Sequence, residues 1–111
     1  MYTFIEVWTP NDTWKSLPTA DRQAFMDGVT SAIEQMAAGG ITTLGWGVND
    51  SDTPHRADGE FVAVWQAPNR EAIGALEAGV QGSGWYDYFD QVNVRSELTD
   101  VADIMAKHVN A

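Results

Sequence analysis

One carboxylate in this chain stands where acid–base chemistry would be favoured. Glu6 lies between Phe4 and Trp8 in an alternating stretch, so the three share one face of a strand. Loss of water on such a face raises a carboxylate's pKa and makes it a general acid or base near neutrality. The structural alternative is that Glu6 pairs with a basic residue, Arg95 being the candidate, or reaches solvent at a sheet edge. A second set of chemistry-bearing residues runs from Asn49 to Asp58 and includes Asp50, Asp52, His55 and Arg56. At the mouth of a pocket, His55 would shuttle protons and Arg56 would fork a carboxylate or enolate oxygen. The plainer reading is a hairpin loop tied by Asx turns and stiffened by Pro54. No metal is expected: the chain has two histidines, His55 and His108, at a spacing that matches no ligand pattern. Trp8, Trp65, Tyr86 and Tyr88 supply flat walls for a planar substrate, with Asn49 or Asn93 to orient it. Core or dimer packing is the alternative for each aromatic.

An internal echo shows which elements must hold these residues. Phe4-Ile5-Glu6-Val7-Trp8-Thr9-Pro10-Asn11 returns, with one residue inserted, as Phe61-Val62-Ala63-Val64-Trp65-Gln66-Ala67-Pro68-Asn69. Each copy reads as a strand, is followed by a helical stretch, and leads to a Gly-Trp pair, Gly45-Trp46 and Gly84-Trp85. Strands are expected at 2–9, 41–49, 60–67 and 85–95, the last with an irregular start. Thr19 is expected to cap a helix with an apolar stripe of Phe25, Val29, Ile33 and Met36, stopped by Gly39-Gly40. Asn69 is expected to cap a second helix carrying Ile73, Leu76 and Val80, and a third follows from about Asp100. The link from Pro10 to Pro18 reads as polar connection.

The order β-α-β-β-α-β followed by α predicts an α+β ferredoxin-like antiparallel sheet with two helices on one face, in a single domain over 1–111. Ile5, Val7, Val62 and Val64 are purely aliphatic and are assigned to the helix side. Phe4, Glu6, Trp8, Phe61, Ala63 and Trp65 then fall on a face that a second subunit, the C-terminal helix or a ligand must cover.

The 111 residues carry a formal charge of -10 and six scattered basic residues. Phosphate backbones and anionic headgroups would be repelled, so neither nucleic acid nor a membrane surface is an expected partner. Absence of cysteine removes disulfides, thiol nucleophiles and Cys-ligated metals. With no basic n-region and no long apolar run, a cytoplasmic location is expected. There is no phosphate-cradling glycine loop, nucleophilic serine elbow or paired-histidine motif. Acid–base or substrate-assisted chemistry without a cofactor is what remains.

Glu6-Val7-Trp8, Gly45-Trp46-Gly47-Val48-Asn49-Asp50, Thr53-Pro54-His55-Arg56 and Gly84-Trp85-Tyr86-Asp87-Tyr88-Phe89 together resemble the marks of an uncharacterised bacterial family in the dimeric α/β-barrel superfamily. The resemblance covers most of residues 1–96. It implies two ferredoxin-like subunits meeting sheet to sheet, each with a ligand cavity. Known members of that superfamily include cofactor-independent monooxygenases, polyketide cyclases, heme-degrading enzymes and lactone isomerases, and fold alone does not select among them. The expected protein is a homodimer that binds a small apolar or aromatic molecule and acts on it through Glu6 and His55. The rival is a non-catalytic, stress-related or ligand-sequestering homodimer whose aromatics form the interface core.

Overall fold

Alternation along the first strand, β1 (Tyr2–Pro10), divides the sheet into two chemically different faces. The computed structural model describes residues 1–111. After β1 come α1 (Asp12–Ser16), α2 (Thr19–Ala38), β2 (Thr42–Val48), β3 (Phe61–Ala67), α3 (Arg70–Gly82), α4 (Trp85–Tyr88), β4 (Phe89–Glu97) and α5 (Val101–Val109). The strands form one antiparallel sheet in the order β2-β3-β1-β4, the ferredoxin-like arrangement expected from the sequence. No helix is long and apolar enough to cross a membrane.

The two Pro-Asn pairs of the echo encode two helix starts. Asn11 accepts from the Trp14 backbone N–H at 3.0 Å, and Asn69 accepts from that of Ala72 at 2.9 Å. The first cap corrects the reading of residues 10–18 as mere connection, since α1 forms there and ends at Leu17, held extended before Pro18. The short α1 buries Trp14 against Phe89 at 4.8 Å and Phe25 at 5.6 Å. Pro18, not Thr19, occupies the cap position of α2, and Thr19 accepts instead from the Arg22 guanidinium at 3.2 Å. At the other end of α2, Gly40 takes φ 88° while the Ile41 N–H reaches back to the Met36 carbonyl, as a left-handed helix stop requires. Residues 85–88, expected at the head of the last strand, form the turn-length α4, which starts after Gly84 at φ 84°.

The assignment of the two sheet faces is reversed relative to expectation. Phe4, Glu6, Trp8, Ala63 and Trp65 are buried within this chain, together with Ile73 and Leu76 of α3 and with Trp85 and Phe89. The aliphatic residues Ile5, Val7, Val62 and Val64 therefore face away from the helices, and register puts Val92 and Val94 beside them. Val92 and Val94 are 60% and 57% exposed. The physical reason lies in size: on this face Phe4, Trp65, Trp85 and Phe89 pack with Ile73 and Leu76 of α3 into a core that valines would not fill. The aromatics are thus the chain's own core.

Gly59 marks a close approach at the end of the β2–β3 loop. A Cβ there would lie 2.5 Å from Val7 Cγ1 and 3.3 Å from the Trp8 nitrogen. Gly59→Ala is expected to cost about 1 to 3 kcal/mol by overpacking, and Trp65→Ala about 3 to 5 kcal/mol as a core truncation. Denaturant melts compare both with wild type; a neutral Trp65→Ala would contradict the core placement.

Candidate functional site

A cavity of about 650 Å³ opens between the helix layer and the buried face of the sheet. Its floor is Glu6 of β1, Trp46 of β2, Trp65 of β3 and Trp85 of α4. One wall comes from α2, where Ala24, Gly28 and Ala32 recur every four residues and line one stripe. Beside that stripe lie Phe25, Val29, Ile33 and Met36, the residues whose spacing predicted the helix's inner face. Ala75, Leu76, Gly79 and Val80 of α3 form the opposite wall. A Cβ added at Gly28 or Gly79 would meet nothing within 4 Å, so these glycines border open space. The lining is mostly apolar, with Glu6, Gln35 and Ser83 as its polar side chains.

Glu6 is 4% exposed and has no cationic partner. Its Oε1 accepts from Trp65 Nε1 at 2.6 Å, and its Oε2 accepts from Gln91 Nε2 at 2.7 Å. Both bonds have the short length of charge-assisted pairs. Gln91 also donates to Asn93 Oδ1 at 2.8 Å and accepts from Trp85 Nε1 at 2.7 Å, so its amide is held with the NH₂ toward Glu6. Asn93 in turn donates to the Tyr86 hydroxyl at 3.3 Å. Ala63 is the cross-strand partner of Glu6, and its small side chain leaves the carboxylate room where the echo carries no acid. Desolvation pushes the Glu6 carboxyl above its ordinary value, against the opposing pull of the bonds from Gln91 and Trp65. The Arg95 pairing considered from the sequence does not form, because Arg95 joins Glu77 of α3 at 2.7 Å.

Among the other residues singled out in the sequence, Trp65 reaches the cavity, whereas Trp8 lies beneath it. Trp8 packs edge-to-face against Trp46 and Trp85, with ring centroids 5.1 and 5.5 Å away. Tyr86 terminates the polar chain that begins at Glu6, and Tyr88 packs on Trp14 and Phe25. Asn49, His55 and Arg56 belong to the β2–β3 loop and do not line the cavity. There Asn49 Nδ2 donates to the Ala57 and Gly59 carbonyls, and Arg56 donates to the Asp50 and Gly59 carbonyls. His55 is exposed at φ 56°, in the left-handed region. The loop's acids and His55 do not gather as a metal-holding group. Trp46, Trp85 and Gln91 were not proposed as site residues from sequence. The repeated Gly-Trp pair was the available signal for the first two, and nothing in local sequence marks Gln91.

The family model described as Family of unknown function (DUF6616) matches residues 1–111. No curated protein matches the chain. Among solved structures, a mutant chlorite dismutase from Candidatus Nitrospira defluvii is similar at a TM-score of 0.69 and 15% sequence identity, covering 98% of this chain and 47% of that one. This chain therefore spans about half the length of that protein, and the likeness is one of fold.

The raised Glu6 pKa has a definite signature in stability. Unfolded, the group titrates near 4.5; folded, it titrates higher, so between these values the folded state holds the extra proton. Wild type is therefore expected to lose stability relative to Glu6→Gln as pH rises from 4.5 through the folded pKa, and to hold a constant difference above it. Paired denaturant melts across that range check this; a difference that grows in favour of wild type with rising pH would show a depressed pKa instead.

Proposed function

We infer that this chain, which belongs to the Family of unknown function (DUF6616), is a small-molecule-binding protein whose ligand enters the groove between α2, α3 and the sheet. The observation that carries this reading is a buried, uncompensated carboxylate at the floor of an otherwise apolar cavity. A volume of about 650 Å³ is within the range of small-molecule sites. In the proposed chemistry Glu6 exchanges a proton with an apolar or aromatic substrate, as a cofactor-independent monooxygenase, cyclase or isomerase requires. Trp65 and Gln91 hold the carboxylate in position while Trp46 and Trp85 wall the substrate. Desolvation keeps the carboxylate basic, and the two N–H donors keep it aimed. Asn49 and Arg56 act in this reading by fixing the loop that follows β2, not by touching the ligand, and the exposed His55 has no part in it.

Homodimer formation through the aliphatic sheet face belongs to the same proposal. Ile5, Val7, Val62, Val64, Val92 and Val94 form an uncovered β-branched surface, and such a surface favours burial against a partner. The rival in which the tryptophans make up the dimer interface loses its support, since they are packed under the chain's own helices.

Two measurements test these statements separately. Gly28→Leu is expected to fill the groove and abolish quenching of tryptophan fluorescence by small aromatic probes, with stability equal to or above wild type, because a side chain there meets open space. Unchanged quenching in a folded Gly28→Leu would remove the groove as the site. Light scattering at low micromolar concentration is expected to give a dimer for wild type and a monomer for Val92→Glu; a monomeric wild type would overturn the interface.

A further inference from the structure

We propose that the cavity is a receptor for an organic ammonium, a cation carried on a flat apolar body, with Glu6 as counter-charge and Trp46, Trp65 and Trp85 as an aromatic cage. This rests on the reading of the groove as the ligand site and names the ligand's chemistry. Three observations carry it. The first is the arrangement of the indoles. Trp46 stands at 87° to Trp85 with centroids 6.1 Å apart, and at 68° to Trp65 with centroids 6.3 Å apart. Trp46 thus meets both other rings nearly edge to face, and all three line the cavity with Glu6, so aromatic surface borders the space beside the carboxylate, the surroundings that recognise ammonium ions. Trp46 is 41% exposed although it stands amid this cluster, and it lines the cavity.

The second observation is charge. Glu6 is the sole ionisable residue lining the cavity, and no basic side chain of the protein meets it. A buried carboxylate satisfied by two N–H donors but by no cation leaves an uncompensated negative charge, which a bound cation would neutralise. The third is what the cavity lacks. Apart from Glu6 its polar side chains are Gln35 and Ser83, so an anionic ligand would meet no fixed positive charge and would face the carboxylate. The overall charge of -10 adds attraction for cations at long range.

The groups surrounding Glu6 give binding a simple pH dependence. β3 presents Ala63 and Trp65, β2 presents Trp46, and β4 presents Gln91 and Asn93, none of which titrates. Arg95, further along the same face of β4, is tied to Glu77 of α3. The cavity-lining residues of α2 carry no charge, and α4 contributes the Tyr86 hydroxyl, bonded to Asn93. Cation affinity therefore follows the ionisation of Glu6.

Phenyltrimethylammonium and tert-butylbenzene have the same shape and differ by one positive charge. The quaternary nitrogen does not titrate, so any pH dependence belongs to the protein. Titrating both into wild type, with tryptophan fluorescence as readout, is expected to show the cation binding about tenfold tighter or more at neutral pH. That advantage should fade as pH is lowered toward 4.5 and should be lost in Glu6→Gln. Trp46→Ala, at a half-exposed position, is expected to lose the same advantage while retaining Glu6. If tert-butylbenzene binds as tightly as the cation, the groove is an apolar site and the ammonium assignment is overturned while the ligand-binding reading stands. If neither probe binds, both fall.

Discussion

Burial of the Glu6 carboxylate beneath a layer of indoles is the constraint to which the rest of this structure answers. An anion removed from water is costly unless its oxygens are fully bonded, and here the donors come from packing residues. Trp65 fills the core with its ring and donates its indole N–H to Oε1. Trp85 does the same at one remove, because its N–H holds the Gln91 amide in the orientation that serves Oε2. Removing either ring would thus open a cavity and loosen the acid together. The same arrangement explains the break in the echo at Ala63, since a second large side chain opposite Glu6 would occupy the space the carboxylate uses.

The helix layer is shaped by the same need. A tightly packed ferredoxin-like core would close α2 and α3 over the aromatic face. Instead, small residues along both helices leave a groove that ends on Glu6. Closure is achieved lower down, where α1 inserts Trp14 against Phe25, Tyr88 and Phe89. Asn11 secures that plug twice, capping α1 with its Oδ1 and donating from Nδ2 to the Asp87 carbonyl at 2.9 Å. One end of the layer is therefore sealed by aromatic packing and the other is open, which leaves a groove with a floor.

The outer face of the sheet and α5 have a different character. The six β-branched aliphatic residues of the outer face offer no hydrogen-bonding side chain and no charge. α5 buries none of its residues and leaves Val101, Ile104, Met105 and Val109 exposed. The radius of gyration is 16.0 Å and the extents are 52 × 36 × 19 Å, against about 13 Å for the radius of a compact chain of this length. The shape is thus elongated, with apolar surface on its periphery.

Local chemistry was enough to read the order of the four strands and the three longer helices, the Asn69 cap, the double-glycine stop of α2 and the inner stripe of each main helix. Each depends on residues a few positions apart, where hydrogen bonds and helical periodicity act directly. The desolvation of Glu6 was also legible, as an acid flanked by aromatics on one strand face. Which face of the sheet lay under the helices was not legible, because alternation separates two faces without labelling either as inside. That choice belonged to the tertiary structure, in which Phe4, Trp65, Trp85 and Phe89 pack with Ile73 and Leu76 of α3. Nor could local sequence reveal the partners of Glu6: Trp65 is 59 residues away and Gln91 is 85. Only the pairing of β1 with β3 and β4 brings those donors to the carboxylate, and with them the difference between an acid on a strand and an acid at the floor of a cavity.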